Sequence, residues 1–330
     1  MKKISIIIVS YNTADLLEKC LNHLFESADG ENMEVFVVDN ASSDGSGAMV
    51  KKYFSHVNLI ENRINMGFAA ANNQAYELAQ GDYIILLNPD AFIRPGTIKN
   101  AVRFMENHPE CGLAGGRLVN LEGRLDPSAR RFPNSLNKFF TLSGLADRYP
   151  SSKIIGKGDF KFFNHNSIME VDWVPGTFTI YRKKMLASLS GTLFDERFYI
   201  YYEETDLCLQ AKRNGWKVFF IPDAQVIHVG GASAKKRDDL TYDTGGSQVL
   251  KFRMRAEYLY FRKNYGLFSV LANAGVEIGW HILRYVLNGR GNSPDRRKHA
   301  KASESINILK HAFNALFDTR FGKKVPKIPW

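Results

Sequence analysis

A chain of 330 residues with 45% hydrophobic and 24% charged residues has material for one large domain or a domain with an appendage, and this balance excludes a disordered chain. Its formal net charge of +10 is unevenly placed: residues 1–230 carry 25 Lys and Arg against 26 Asp and Glu, residues 231–330 carry 19 against 8. A basic last hundred residues suits nucleic acid, anionic lipid or a phosphorylated substrate, and charge alone does not choose among them.

The first apolar run, residues 4–9, stops at Ser10-Tyr11-Asn12, too soon for the apolar core of a signal peptide, and reads as a buried strand. A helix is predicted over 13–25, a strand over 34–38 and a helix over 45–53. A strand over 57–60, a helix over 68–79 and a strand over 83–87 follow. Strand and helix in alternation imply α/β architecture, a doubly wound parallel sheet whose ligands sit beyond the carboxyl ends of the strands. Polar residues fall at those ends: Ser10-Tyr11-Asn12, Asp39-Asn40, residues 62–67, and Asn88-Pro89-Asp90. Neither G-x-G-x-x-G nor G-x-x-x-x-G-K-[ST] follows a strand, so the dinucleotide and P-loop fingerprints are missing. A nucleotide still suits a carboxylate such as Asp39, which can accept the N–H of a pyrimidine ring or bond a ribose. Three cysteines, Cys20, Cys111 and Cys208, lack paired metal-ligand spacing and read as reduced thiols of a cytosolic protein.

Past residue 110 the alternation loosens, and residues 136–163 show no clean period; an irregular insertion is expected there, with a loop over the site as its role. Strands are predicted over 169–173, 178–181 and 217–221, and a helix over 203–213. The last part is helical. In "LFSVLANAGVEIGWHILRYV", residues 267–286, Asn273, Glu277, His281 and Arg284 recur at helical spacing on one side, which argues for an amphipathic helix against a membrane span. Basic clusters stand before it (Lys251, Arg253, Arg255, Arg262, Lys263) and after it (Arg296, Arg297, Lys298), and Trp280 sits near its polar border. Two readings stay open: a helix in an anionic membrane interface, or one packed on the core with a solvated basic face.

The ordered motifs "SIIIVSYN", "VVDNASSDGS", "NxGFAAANN", "LLNPD", "WVPGTF", "FYIYYEETDLCLQAKRNGW" and "IHVGGAS" resemble the family 2 glycosyltransferases of the GT-A fold, and most closely their bacterial rhamnosyltransferase-like branch. The resemblance runs from residue 4 to about residue 233. It implies a catalytic domain over 1–235, with a nucleotide-sugar half to about 110 and an acceptor half beyond it, followed by a basic helical extension over 236–330. In this family the early Asp contacts the base of a nucleoside diphosphate sugar, which is Asp39 here, with Ser10, Tyr11 and Asn12 lining the same pocket. Asn65 and Gly67 start a helix whose N–H groups suit a diphosphate, or form an ordinary glycine turn. Asp44 reads as a helix cap. Where many relatives have Asp-x-Asp, this chain has Asn88-Pro89-Asp90; the resemblance makes Asp90 and His228 the protein ligands of a Mg²⁺ or Mn²⁺ ion.

The family's Glu-Asp pair aligns with Glu203-Glu204, so Glu204 takes the place of the base, one methylene longer, with Glu203 beside it and Asp206 as a residue that orients a neighbour or forms a salt bridge. Trp173 either stacks on an acceptor sugar or fills the core, and Gly176 lets backbone approach a substrate closely. Arg130 and Arg131 read as phosphate contacts or as an exposed basic pair. The implied activity is inverting, metal-dependent transfer of a sugar, first L-rhamnose from dTDP-L-rhamnose, to a hydroxyl of a saccharide acceptor, lipid-linked by preference, in cell-surface polysaccharide synthesis such as O-antigen. The implied place is cytoplasmic, peripheral on the inner face of the membrane. A UDP-hexose or UDP-galactofuranose donor is the alternative within the class. Outside it stands a non-catalytic protein with a basic nucleic-acid or membrane-binding tail; no nucleic-acid motif supports the nucleic-acid version.

Overall fold

The apolar runs become strands of one sheet in the computed structural model, which describes residues 2–27, 32–158, 160, 162–189, 191–230, 247–289 and 296–326. The chain divides into two units: residues 1–132, 163–196 and 203–236 make the first, and residues 133–162, 197–202 and 237–330 the second. The elements of the first unit are β1 (Ile4–Ser10), α1 (Ala14–Glu26), β2 (Met33–Asp39), α2 (Ser46–Tyr53), β3 (Asn58–Glu61), α3 (Phe68–Leu78), β4 (Tyr83–Leu87), β5 (Ala91–Ile93), α4 (Thr97–Asn107), β6 (Cys111–Val119) and β7 (Leu125–Asp126). After α5 (Ser135–Leu142) and α6 (Leu145–Arg148), which belong to the second unit, come β8 (Met169–Glu170), β9 (Phe178–Arg182), α7 (Lys183–Ser188), α8 (Glu203–Arg213) and β10 (Lys217–His228).

The sheet runs β3-β2-β1-β4-β9-β6-β10-β5, with β7 on β6 and β8 on β10. β1 is parallel to both β2 and β4, and β6 to β10; β9 enters antiparallel between β4 and β6. Continuous apolar strands such as β4, buried along its whole length, need cover on both faces. One face supplies Ile4, Ile6, Ile8, Val35, Val37 and Ile85 to a cluster closed by Leu17 and Leu21 of α1, Val50 of α2, and Ala101 and Phe104 of α4. α3 lies against β1 and β2 with Ala69, Ala71 and Ala75 buried outside that cluster. The three cysteines are buried and unpaired, and burial pushes the thiols of Cys111 and Cys208 up to about 12, which leaves them inert.

Register brings the polar strand ends to one edge of the sheet. Ser10 is opposite Asp39, Leu87 is opposite Phe178, Leu118 is opposite Asp126, and His228 is opposite Ala91. The carboxyl ends of β1, β2, β4, β6 and β10 therefore share an edge with the amino ends of β9 and β5. β5, β6 and β7 were not expected from the sequence, and two expected strands have other limits. Residues 169–173 form only the two-residue β8, because Asp172 and Trp173 turn to bond the Arg130 segment, whereas the strand expected over 217–221 continues through a register shift to His228.

The second unit contains α5, α6, α9 (Ser247–Tyr265), α10 (Leu267–Gly289) and α11 (Arg296–Asp318). Within the expected irregular insertion at 136–163 stand two short helices, α5 and α6: Asn134 caps α5, its side chain accepting from the Asn137 N–H at 2.9 Å, and α5 packs on α10. The polar side of α10 turns into its own unit. Asn273, Glu277 and His281 are each 2% exposed, while Phe268 is 86% exposed. Lys138 of α5 gives the physical reason, standing 2.6 Å from both Glu257 and Glu277. Burial opposes ionisation of Glu277, but His281 and Lys138 hold its carboxyl down at about 2. Gly322, with φ 75°, closes the chain after α11 where a Cβ would stand 2.1 Å from the Tyr258 carbonyl oxygen, so no other residue fits that turn.

Candidate functional site

The residues expected to bind the donor are organised by short polar loops after β1, β2 and β3. Ser10 is buried at the end of β1 and shares a 2.8 Å hydrogen bond with Thr13, beside half-buried Tyr11. Asn12 takes a positive φ of 53°, accepts from the Ser43 N–H at 2.8 Å and donates its own N–H to Ser42 at 3.0 Å. Asp39, 7% exposed, accepts from the Ser42 N–H through Oδ1; its Oδ2 faces Gly47, where a Cβ would stand 3.0 Å away. Asp44 accepts from Ala14 N–H and Ser46 N–H, tying the first turns of α1 and α2 together as the cap reading requires.

Asn40 is the hub that sequence reasoning passed over. Its amide donates to Asn65 Oδ1 at 2.8 Å, and its carbonyl oxygen accepts from Asn62 and from the Met66 N–H. Asn65 also accepts from the Gly67 N–H at 3.0 Å, and Gly67 stands at φ 88° just before α3. The loop from 62 to 67 is thereby held by side chains rather than by a sheet ladder. The only sequence signal was the position of Asn40 at the end of a strand.

After β4, the chain bends at Asn88-Pro89 and returns as β5. Asn88 donates its N–H to the Thr177 carbonyl, while the Asp90 carbonyl accepts from the Val229 N–H, so the bend is clamped between β9 and the end of β10. Asp90 is 6% exposed, with Oδ1 3.8 Å from His228 Nε2. The other imidazole nitrogen, Nδ1, lies 2.9 Å from Asp126 Oδ2. Burial opposes protonation of His228, but the Asp126 hydrogen bond and the Asp90 charge raise its pKa; the same bond lowers that of Asp126.

In the neutral imidazole that gives Nδ1–H to Asp126, the Nε2 lone pair lies on the Asp90 side. The carboxylate oxygen and the imidazole nitrogen are donors that suit a Mg²⁺ or Mn²⁺ ion completing its shell with water and phosphate oxygens; cis ligands at about 2.1 Å from an octahedral ion stand ~3.0 Å apart, so the two side chains, 3.8 Å apart, draw closer to share one. Among the described residues no group of three or more His, Cys, Asp and Glu is placed to hold a metal by itself. Asp126, on the short β7, carried no sequence signal as a partner of His228.

The residues expected to serve the acceptor and the base lie around β9 and α8. Gly176 donates its N–H to Glu204 Oε1 at 3.2 Å, and a Cβ there would stand 2.7 Å from the same oxygen, so glycine makes room for the carboxylate. Burial raises the pKa of Glu204. Glu203 and Asp206 are buried in the same first helical turn, where the helix dipole favours acids. Trp173 is half-buried, and its indole N–H donates to the Arg131 carbonyl at 2.9 Å. Arg131 lies 3.6 Å from Asp172, and Arg130 pairs in backbone with Trp173. The structure thus joins Asp90 with His228, Gly176 with Glu204, and Asn65 with Gly67, and sets all of them along one sheet edge.

That arrangement can be compared with known proteins. Residues 5–187, more than half of the chain, match the profile of glycosyl transferase family 2. The chain belongs to this family. Among similar curated proteins is N-acetylglucosaminyl-diphospho-decaprenol L-rhamnosyltransferase of Mycobacterium tuberculosis, 26% identical over 242 residues that cover 68% of this chain and 75% of that protein. Another is rhamnosyltransferase WbbL of Escherichia coli, 28% identical over 238 residues, covering 68% and 82%. A solved structure with the same fold is the mannosyltransferase PcManGT from Pyrobaculum calidifontis in complex with GDP-Man and Mn²⁺, with a TM-score of 0.58, 17% identity, and coverage of 96% of this chain and 88% of that one. The glycosyltransferase has the GT-A fold and resembles the rhamnosyltransferase branch of its family. It is an enzyme of the hexosyltransferase class, which sets aside the reading as a non-catalytic binding protein.

Proposed function

We propose that the enzyme moves a hexose, L-rhamnose from dTDP-L-rhamnose in the first instance, onto a hydroxyl of a lipid-linked saccharide, with inversion at the anomeric carbon, in cell-surface polysaccharide synthesis. The observation that carries the chemistry is the half-buried Glu204 carboxylate given room by Gly176, beside the sheet edge that also carries Asp39, Asp90 and His228. The rhamnosyltransferase names of the relatives supply the donor, and the decaprenol-linked acceptor of the mycobacterial relative supplies the acceptor.

In this reading Asp39 accepts the ring N–H of the pyrimidine or a ribose hydroxyl, and Ser10, Tyr11 and Asn12 wall the base. Asn65, which accepts the Gly67 N–H, and the Gly67 turn set the start of α3, whose first free N–H groups meet the diphosphate. Glu204 takes the proton of the acceptor hydroxyl as its oxygen attacks the anomeric carbon from the face opposite the diphosphate, which leaves with the bonding pair. Asp90 and His228 would hold a Mg²⁺ or Mn²⁺ ion, which supplies positive charge to the leaving diphosphate when bound. Glu203 and Asp206 set the first turn of α8, and Trp173 offers a stacking face to the acceptor sugar.

In this reading the catalytic domain spans 1–235 in sequence, its nucleotide-sugar half reaching to about residue 110 and its acceptor half following, with residues 133–162 and 197–202 joining the helical unit of the basic extension, 236–330. Among the described residues no helix is long and apolar enough to cross a membrane, which accords with an enzyme working peripherally on the inner membrane face. The test is a panel of dTDP-, UDP- and GDP-sugars with Mn²⁺ or Mg²⁺, read by thermal protection and by transfer to a lipid-linked saccharide. Protection and transfer with dTDP-L-rhamnose are expected. Selective transfer from a UDP-hexose or UDP-galactofuranose would replace the donor, and transfer with no divalent ion would remove the metal role of Asp90 and His228.

A further inference from the structure

α10 meets its own unit with its polar side and leaves the other side bare. Asn273, Glu277 and His281 are buried, whereas Phe268, Leu271, Gly275, Gly279, Ile282 and Leu283 form an exposed stripe without a charged side chain. Phe268 is 86% exposed, and Ile282 and Leu283 about half exposed, at 48% and 49%. From Phe268 to Leu283 the stripe extends about 22 Å at ~1.5 Å per residue. α5 adjoins α10 and widens the patch with Leu136 and with Phe139, whose ring meets Trp280 edge-on. Continuous apolar faces of this kind are interaction surfaces, since water penalises them and scattered surface leucines do not form them.

Charge decides what covers it. All four Asp and Glu residues described between 247 and 326 stand in ion pairs: Glu257 and Glu277 with Lys138, Glu304 with Arg284, and Asp318 with Arg255. Exposed Lys263 lies in the last turn of α9, five residues before Phe268, and Lys298, Lys301 and Lys310 lie exposed along α11, which packs on α10. A second copy would bring two units of net positive charge together, whereas anionic lipid attracts such a unit and its acyl boundary takes the apolar stripe. We propose that α10 lies in the plane of an anionic membrane surface, with Phe268, Leu271, Ile282 and Leu283 seated at the boundary between headgroups and acyl chains. The inference deepens the reading of a membrane-held acceptor and is tested without donor or acceptor.

The test sediments the full chain with phosphatidylcholine vesicles, with and without phosphatidylglycerol. Binding is expected only with phosphatidylglycerol, weakened by salt, and reduced about tenfold or more in F268S/I282S. The conservative Phe268→Trp variant, expected to fold whatever befalls F268S/I282S, should show indole quenching by brominated phospholipid. Unchanged vesicle binding in F268S/I282S with a wild-type melt, absence of quenching in Phe268→Trp, or a vesicle-independent dimer lost in F268S/I282S would each overturn the proposal, the last by making a second copy the occupant. Wild-type vesicle binding without any sugar transfer would sink the transfer reading and leave the docking surface standing; transfer to a soluble acceptor without vesicle binding would do the reverse.

Discussion

As the proposed base, Glu204 must be ionised to accept a proton, yet burial favours its protonated form, and this conflict has a measurable signature. Its pKa is raised, so kcat/KM should fall as pH drops through a limb lying above the ordinary glutamate value of about 4.3. Glu204→Gln should bind donor as the parent does and lose transfer by about 10²-fold or more; full transfer would remove it as the base. Gly176→Ala tests the same oxygen from the other side, because its Cβ would intrude to 2.7 Å of Oε1. His228 depends in turn on Asp126, which orients its ring through Nδ1. Asp126→Ala should raise the Mn²⁺ concentration needed for donor-dependent thermal stabilisation by about 10- to 100-fold, as expected for the partner of a ligating histidine. An unchanged requirement would confine Asp126 to holding β7 in place.

At the scale of elements, the early strands were legible where a short, largely apolar run ends in a polar turn: β4, "YIILL" before Asn88, matches its expected limits, whereas β5, β6 and β7 were not expected. α8 was equally plain, with three acids in its first turn and Lys212 and Arg213 in its last. α5 was not, since eight residues give too little period to detect and the cap at Asn134 is a single residue's signal. The orientation of α10 was hidden for a different reason. Periodicity shows that a helix has a polar side, but which side turns inward depends on Lys138, far away in sequence, supplying a buried cation for Glu257 and Glu277. Lys138→Met would leave two buried carboxylates facing each other without it, and should destabilise the helical unit by about 3–5 kcal/mol, read from its melting transition. A loss within ~0.5 kcal/mol, the range of ordinary surface changes, would show that those carboxylates are relieved by water.

Across the whole molecule the chemistry and the charge are carried by different parts of the chain: the site residues belong to the sheet unit, while the positive excess lies in the last hundred residues. The same partition predicts how the protein fails in acid. Glu277 has its pKa lowered from 4.5 to about 2 in the folded state, so the folded chain binds fewer protons than the unfolded one throughout that window. A depressed carboxylate contributes stability that is complete above the unfolded value and is lost as pH falls toward the folded one, here about 3 kcal/mol between pH 4.5 and 2. Two units allow two transitions, so the loss should appear in the one that reports Trp280, which lies against Phe139 in the helical unit. Glu277→Gln removes the titrating group: it should lower stability at neutral pH by deleting the charge paired with Lys138, and flatten the acid dependence of that transition. An acid slope as steep in Glu277→Gln as in the parent would move the acid-sensitive group away from α10.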